Sequence, residues 1–147
     1  MPIAGRKPTP EGEPRRSTAQ RLEWTEVEDV PFDGPWPDLP ATYSDAVGEP
    51  EKDERWNPMT KRWWNTIKRL AHAKLWGDTE WEIALAGAIV HHRFIRGNTG
   101  AAGELRRREA ALGATADARR DLRIRYVEPN TGPKLATVTA MDSVRDL

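Results

Sequence analysis

The chain has 147 residues, one domain's worth, and its 23 Lys+Arg and 23 Asp+Glu give a formal charge of zero. It has no cysteine, which excludes disulfides and thiolate metal sites. Its longest apolar run, around residues 84–90, falls short of the roughly 20 residues a membrane helix needs. Residues 1–7 offer no apolar segment for a signal peptide, so a cytoplasmic protein with no membrane partner is expected.

The neutral total hides segregation. Residues 1–21 carry five basic and two acidic side chains, and residues 22–54 one basic and eleven acidic. Residues 55–127 carry fifteen basic and seven acidic, a surplus of eight positive charges. Such blocks point to a polyanion-binding part and an acidic segment with a separate job.

Nine of the twelve prolines lie in residues 1–50. Proline fixes φ and removes a donor, so residues 1–54 read as a largely disordered or extended arm. Leu22, Trp24, Val27, Val30, Phe32, Trp36 and Leu39 are the exceptions. They are either isolated apolar points in a loose tail or a strip that docks on a partner or a neighbouring subunit.

Residues 55–128 read as a helical domain, with 129–147 as a flexible tail. Asn57-Pro58 is a helix start: Asn caps and Pro suits the first position. Over residues 58–76, Trp63, Trp64, Ile67, Leu70, Ala71 and Leu75 share one face. Lys61, Arg62, Asn65, Lys68, Arg69 and His72 share the other, which has four fixed cations and no acid. Thr79 and Glu82 fit a capping box opening a second helix over 79–96. That helix is apolar nearly all round. Trp81, Ala84, Leu85, Ala88, Ile89, His92 and Ile95 form one face, and Ile83, Gly87, Val90 and Phe94 another. Both need cover, from the chain itself or from a partner subunit, and Ile83, Val90 and Phe94 are the candidate oligomer interface. A third helix over 99–112 carries Leu105 inward and Arg106, Arg107 and Arg108 outward, and Gly113 ends it. A fourth over 116–127 starts at the Thr115 cap and carries Ala118, Leu122 and Tyr126 inward among Arg119, Arg120, Arg123 and Arg125. No strand is expected. The fold class is all-α, a bundle of about four short helices behind the arm. Its core is assigned to Trp63, Trp64, Ile67, Leu70, Trp81, Leu85, Ile89, Leu105 and Leu122.

No catalytic residue, metal site or cofactor is assigned. Nucleophiles are limited to Ser, Thr, Lys and carboxylates, and no glycine-rich phosphate loop follows a strand. His91 and His92 are adjacent, so on a helix they point about 100° apart and do not share a metal. His92 falls on an apolar face, where a satisfied core histidine is the common outcome. Nucleic-acid binding fits the basic block better, because Lys and Arg contacts to phosphate supply most non-specific affinity. The candidates are Lys61, Arg62, Lys68, Arg69, Arg106, Arg107, Arg108, Arg119, Arg120 and Arg123. The alternative is a set of solvated helix faces.

Several stretches also match a known pattern. They are Gly5-Arg6-Lys7-Pro8, Glu23-Trp24-Thr25-Glu26-Val27 and Val30-Pro31-Phe32-Asp33-Gly34-Pro35. Then come Trp56-Asn57-Pro58-Met59-Thr60-Lys61-Arg62-Trp63-Trp64 and Leu75-Trp76-Gly77-Asp78-Thr79-Glu80-Trp81. Glu104-Leu105-Arg106-Arg107-Arg108-Glu109 and the run from Gly113 to Val127 complete the series. Together they make the chain resemble the small terminase subunits of tailed phages, of the type found in actinobacterial phages. The resemblance implies a non-catalytic, ring-forming protein that binds the packaging-initiation region of double-stranded viral DNA in the host cytoplasm. It also implies recruitment of the large subunit, which carries the ATPase and nuclease. Many such subunits have an N-terminal helix-turn-helix domain, and the Pro-rich acidic start of this chain cannot make one. DNA contact then falls to the helical block or to Arg6, Lys7, Arg15 and Arg16. Two other readings stay open, a stand-alone DNA-binding regulator and a virion adaptor that binds no DNA.

Overall fold

The computed structural model describes residues 23–132. Arg6, Lys7, Arg15 and Arg16 and most of the tail lie outside the described residues. Within these bounds the fold is built round one long helix, α3 (Asp78–Ile95). Small residues on its inner side, Ala84, Gly87 and Ala88, are buried and let neighbours approach closely. α2 (Pro58–Ile67) and α4 (Ala102–Ala111) pack on it. The core holds Trp56, Trp64, Ile67, Ala84, Ala88 and Leu112, with Trp63, Leu70, Trp81, Leu85 and Ile89 packed partly buried against it. Leu105 is buried as well.

α2 begins as the sequence indicates, with the Asn57 side chain accepting from the Met59 amide at 2.9 Å. It stops at Ile67, short of the expected residue 76. The Arg69 carbonyl instead accepts a hydrogen bond from the Phe32 amide (3.1 Å), and Leu70 is extended at φ −55°, ψ 135°. A 3-10 turn, Ala71–Leu75, follows. The break rotates what comes after it. His72, expected on the polar face, is 1% exposed, and Leu75, expected in the core, is 55% exposed. At α3 the expected Thr79–Glu82 box is replaced by Glu80, whose carboxylate accepts from the Gly77 amide at 2.8 Å. A 3-10 turn, Thr99–Ala101, leads into α4.

The fold is not purely all-α. The last helix, α5 (Ala116–Asp121), is capped by Thr115, whose hydroxyl accepts from the Ala118 amide at 3.2 Å, but it ends early. Arg123 adopts φ 56° and turns the chain into β2 (Ile124–Val127). β2 runs parallel to β1 (Thr25–Glu28), with Thr25 opposite Ile124 and Val27 opposite Tyr126. Ile, Tyr and Val suit a half-buried pleated strand, which here prevails over the helical spacing of Leu122 and Tyr126. Leu122, assigned to the core, is therefore 47% exposed.

Residues 23–54 of the expected arm lie against this body. Val27 is buried. The Phe32 ring packs 6.2 Å from that of Trp81 and 6.0 Å from that of Trp36. The Trp56 indole donates to the Pro40 carbonyl at 2.7 Å. A short helix, α1 (Tyr43–Val47), stacks Tyr43 on His92 at 4.4 Å. The apolar strip thus docks on its own chain. Among the described residues no helix is long and apolar enough to cross a membrane.

The α2–α3 crossing yields a test. A Cβ added at Gly87 would sit 2.8 Å from the Trp63 ring. Gly→Ala inside a helix ordinarily gains up to about 1 kcal/mol, while overpacking a rigid contact costs about 1–3 kcal/mol. Gly87→Ala is expected to lower stability in urea unfolding, and a stabilised variant would contradict the close crossing.

Candidate nucleic-acid interface

The candidate cations fall into two groups by what their side chains touch. Lys61, Arg62 and Arg69 on and just after α2, and Arg106 on α4, are exposed. Among the described residues these four form no ion pair. The others are engaged. Lys68 is half-buried with its Nζ 4.5 Å from the centre of the Trp36 ring. Arg107 lies 3.9 Å from Glu104, and Arg108 Nε lies 2.9 Å from the same carboxylate without hydrogen-bond geometry. Arg119 donates to the carbonyls of Gly113 (3.3 Å) and Ala114 (3.1 Å) and stacks over Tyr126 at 4.6 Å. Arg120 pairs with Asp117 at 2.9 Å. Arg123 is half-buried at the turn into β2. The candidates therefore sit on separate elements, α2 and α4 each packing on α3, and three of the four free ones lie on or just after α2.

The engaged candidates are held by Glu104, Asp117, the Gly113 and Ala114 carbonyls and the rings of Trp36 and Tyr126, none of which the helical spacing singles out. The acidic segment pairs with two arginines outside the candidate set. Glu26 lies 3.7 Å from Arg125, and Glu54 pairs with Arg96. Asp38 lines a groove of about 360 Å³ together with Lys61, Asn65 and Lys68. The strand and its flank also add aromatic faces, with the Arg125 guanidinium 5.0 Å from the Trp24 ring. The available signals were the opposite charges of the two blocks and the presence of Trp24 and Trp36 in the acidic stretch.

Of the candidate interface residues, Ile83 packs against the core cluster. Gly87, on the same face, lies under Trp63, so part of that face is covered by the chain itself. Val90 and Phe94 are half-buried.

The three histidines are buried and hydrogen-bonded. His72 Nε2 donates to the Leu112 carbonyl at 2.7 Å, which leaves Nδ1 to accept from the Tyr126 hydroxyl at 2.6 Å. His91 Nδ1 lies 2.9 Å from the Thr60 hydroxyl, and its ring stacks on Trp63 at 5.3 Å. His92 Nδ1 accepts from the Asn57 amide at 3.2 Å, and Nε2 lies 3.2 Å from Glu54. His91 and His92 thus serve different partners. Among the described residues no group of three or more His, Cys, Asp or Glu could hold a metal. Burial lowers the pKa of all three. At His72 the Leu112 carbonyl opposes that shift and the Arg119 charge reinforces it. At His91 the Glu109 carboxylate opposes it. Burial also raises the pKa of Tyr126.

A family model of phage terminase small subunits matches residues 5–147. The chain belongs to that family. No curated protein and no solved structure matches it. Family membership accords with the resemblance read from the sequence, and small terminase subunits are in general non-catalytic.

The histidines give this terminase subunit a defined pH response. Their folded-state pKa values lie below 6.5, so at pH 6 the unfolded chain binds more protons. The stability they contribute is complete above 6.5 and is lost as pH falls through that value toward the folded-state values. Calorimetric unfolding at pH 6, in buffers of different ionisation enthalpy, should show net proton uptake. No uptake, or release, would contradict the assigned neutral histidines.

Proposed function

We propose that this small terminase subunit is a non-catalytic, self-assembling protein of the host cytoplasm. It binds the packaging-initiation region of double-stranded viral DNA and recruits the large subunit that carries the ATPase and nuclease. The observation that carries the DNA reading is the row of exposed, unpaired cations Lys61, Arg62 and Arg69. A helix face with free cations and no acid is suited to phosphate, because no internal partner must be displaced. Arg106, Arg107 and Arg108 on α4, and Arg120 and Arg123 beyond it, extend the charged surface. Lys68 and Arg119 are held by contacts within the fold and contribute through long-range attraction. In an assembly each weak phosphate contact is repeated in every copy, so avidity multiplies the surplus charge.

The test is the salt dependence of binding to packaging-site DNA, followed by fluorescence anisotropy. Lys61→Gln with Arg62→Gln should weaken binding and lower the log–log salt slope by about 0.9 per lost phosphate contact. Unchanged affinity and slope would remove α2 from the interface.

Self-assembly has one candidate helical surface, the flank of α3 bearing Val90 and Phe94, with Ile83 at its edge. Phe94→Asp should keep the helical content and reduce the assembly mass in native mass spectrometry. An unchanged mass would remove this flank.

A further inference from the structure

Among the described residues no third strand pairs with either edge of the two-stranded sheet. Parallel sheets are usually larger and covered, and two strands alone are marginal. The ladder between the strands uses alternate residues. The Thr25 amide donates to the Arg123 carbonyl and the Asp29 amide to the Val127 carbonyl, each at 2.8 Å. Alternation then turns the amide and carbonyl of Glu26, and the amide of Glu28, away from β2. On the other strand it turns the backbone groups of Ile124 and Tyr126 away from β1. None of these outward groups has a hydrogen-bond partner among the described residues.

The two edges differ in sign. Residues 23–29 hold Glu23, Glu26, Glu28 and Asp29 and no cation. Residues 119–125 hold four arginines and one acid, Asp121. Like edges of two copies repel each other, and only the β1 edge of one copy attracts the β2 edge of another. Arg125, whose side chain is 53% exposed, lies 3.7 Å from Glu26 and 5.0 Å from the centre of the Trp24 ring. Exposed apolar side chains lie near the two strands. Trp24 and Val30 flank β1, while Leu122 and Leu75 line a groove that holds Thr25 of β1 as well as Ile124 of β2.

Resting on the self-assembly reading above, we propose that the acidic β1 edge of one copy adds to the basic β2 edge of a second copy, head to tail. The result is a continuous parallel sheet across the subunit boundary. Such a join is heterologous, since two different patches meet. It therefore closes into a ring when the rotation per copy closes, and it repeats one acidic–basic contact at each boundary. Strand addition also satisfies the outward backbone groups that a monomer leaves to water.

The experiment is native mass spectrometry and sedimentation velocity of the full chain and its Glu26→Pro variant. Proline at this position removes an outward amide and leaves the β1–β2 ladder intact. The parent should form assemblies, and the variant should be monomeric with unchanged far-ultraviolet dichroism and a melting temperature that no longer depends on protein concentration. A parent that stays monomeric at all concentrations overturns the proposal, as does a folded variant that assembles like the parent. In the latter case DNA binding and assembly through another surface survive, so the two failures are distinguishable. If Glu26→Pro is misfolded, Glu28→Arg and Arg125→Glu decide instead. Each alone should assemble about tenfold more weakly, and a mixture of the two should recover parent-like assemblies of alternating copies. A mixture no better than its components overturns the join.

Discussion

The apolar surface that α3 presents on nearly every side is the constraint from which the rest of this fold follows. A helix of that kind must be covered all round. Small residues on its inner side, Ala84, Gly87 and Ala88, bring α2 close enough for the Trp63 ring to rest on the backbone at Gly87. Near its start, Trp81 gathers Phe32, Trp64 and Trp76 within 6.5 Å or less between ring centres. Near its end, His92 is enclosed by Tyr43, Trp56, Asn57 and Glu54. Three of these contacts, those of Phe32, Tyr43 and Glu54, come from the Pro-rich stretch. That is why residues with few aliphatic side chains are nonetheless held along the helical body.

Bringing the acidic stretch onto the basic body organises the charge. Glu26 and Glu54 each meet an arginine, and Asp38 shares a groove with Lys61 and Lys68. The balanced total is thus partly neutralised within the chain. Exposed surface pairs contribute about 0–1 kcal/mol each, so their role here is placement of charge more than stability. Of the candidate cations without an ion pair, Lys61, Arg62 and Arg69 lie on and just after α2. On the proposed function, that row of cations is the surface offered to DNA phosphates.

Much of the helical frame is legible in the residues. Asn57-Pro58 starts α2, Gly97 and Gly113 end α3 and α4, and Thr115 caps α5. The span of α3 is read to within a residue or so, because its pattern is long and flanked by clear signals. Three features are not legible. α2 stops at Ile67 where the Arg69 carbonyl takes the Phe32 amide, a tertiary contact that no periodicity encodes. The strands are four residues long and pair across most of the chain, entered on one side through a non-glycine residue at positive φ. The docked stretch reads as disorder because its anchors, Phe32, Trp36 and Tyr43, are aromatic rings spaced among prolines rather than a continuous apolar face. For the candidate interface, residue type identifies the cations, but pairing decides which are free. Arg62 and Arg119 look alike in sequence, whereas Arg119 is bound to two carbonyls and a tyrosine ring.

Residues 23–54 are part of the folded body, held by Val27, Phe32 and Tyr43. Native-state hydrogen exchange resolved by amide tests this most directly. The Phe32 amide bonds to Arg69 and the Tyr43 amide to Glu54, and Val27 lies in the β1–β2 ladder. These amides should be protected and should open at denaturant concentrations close to those that open the amides of α3. Exchange at the rate of an unstructured peptide at all three, with α3 still protected, would contradict the account.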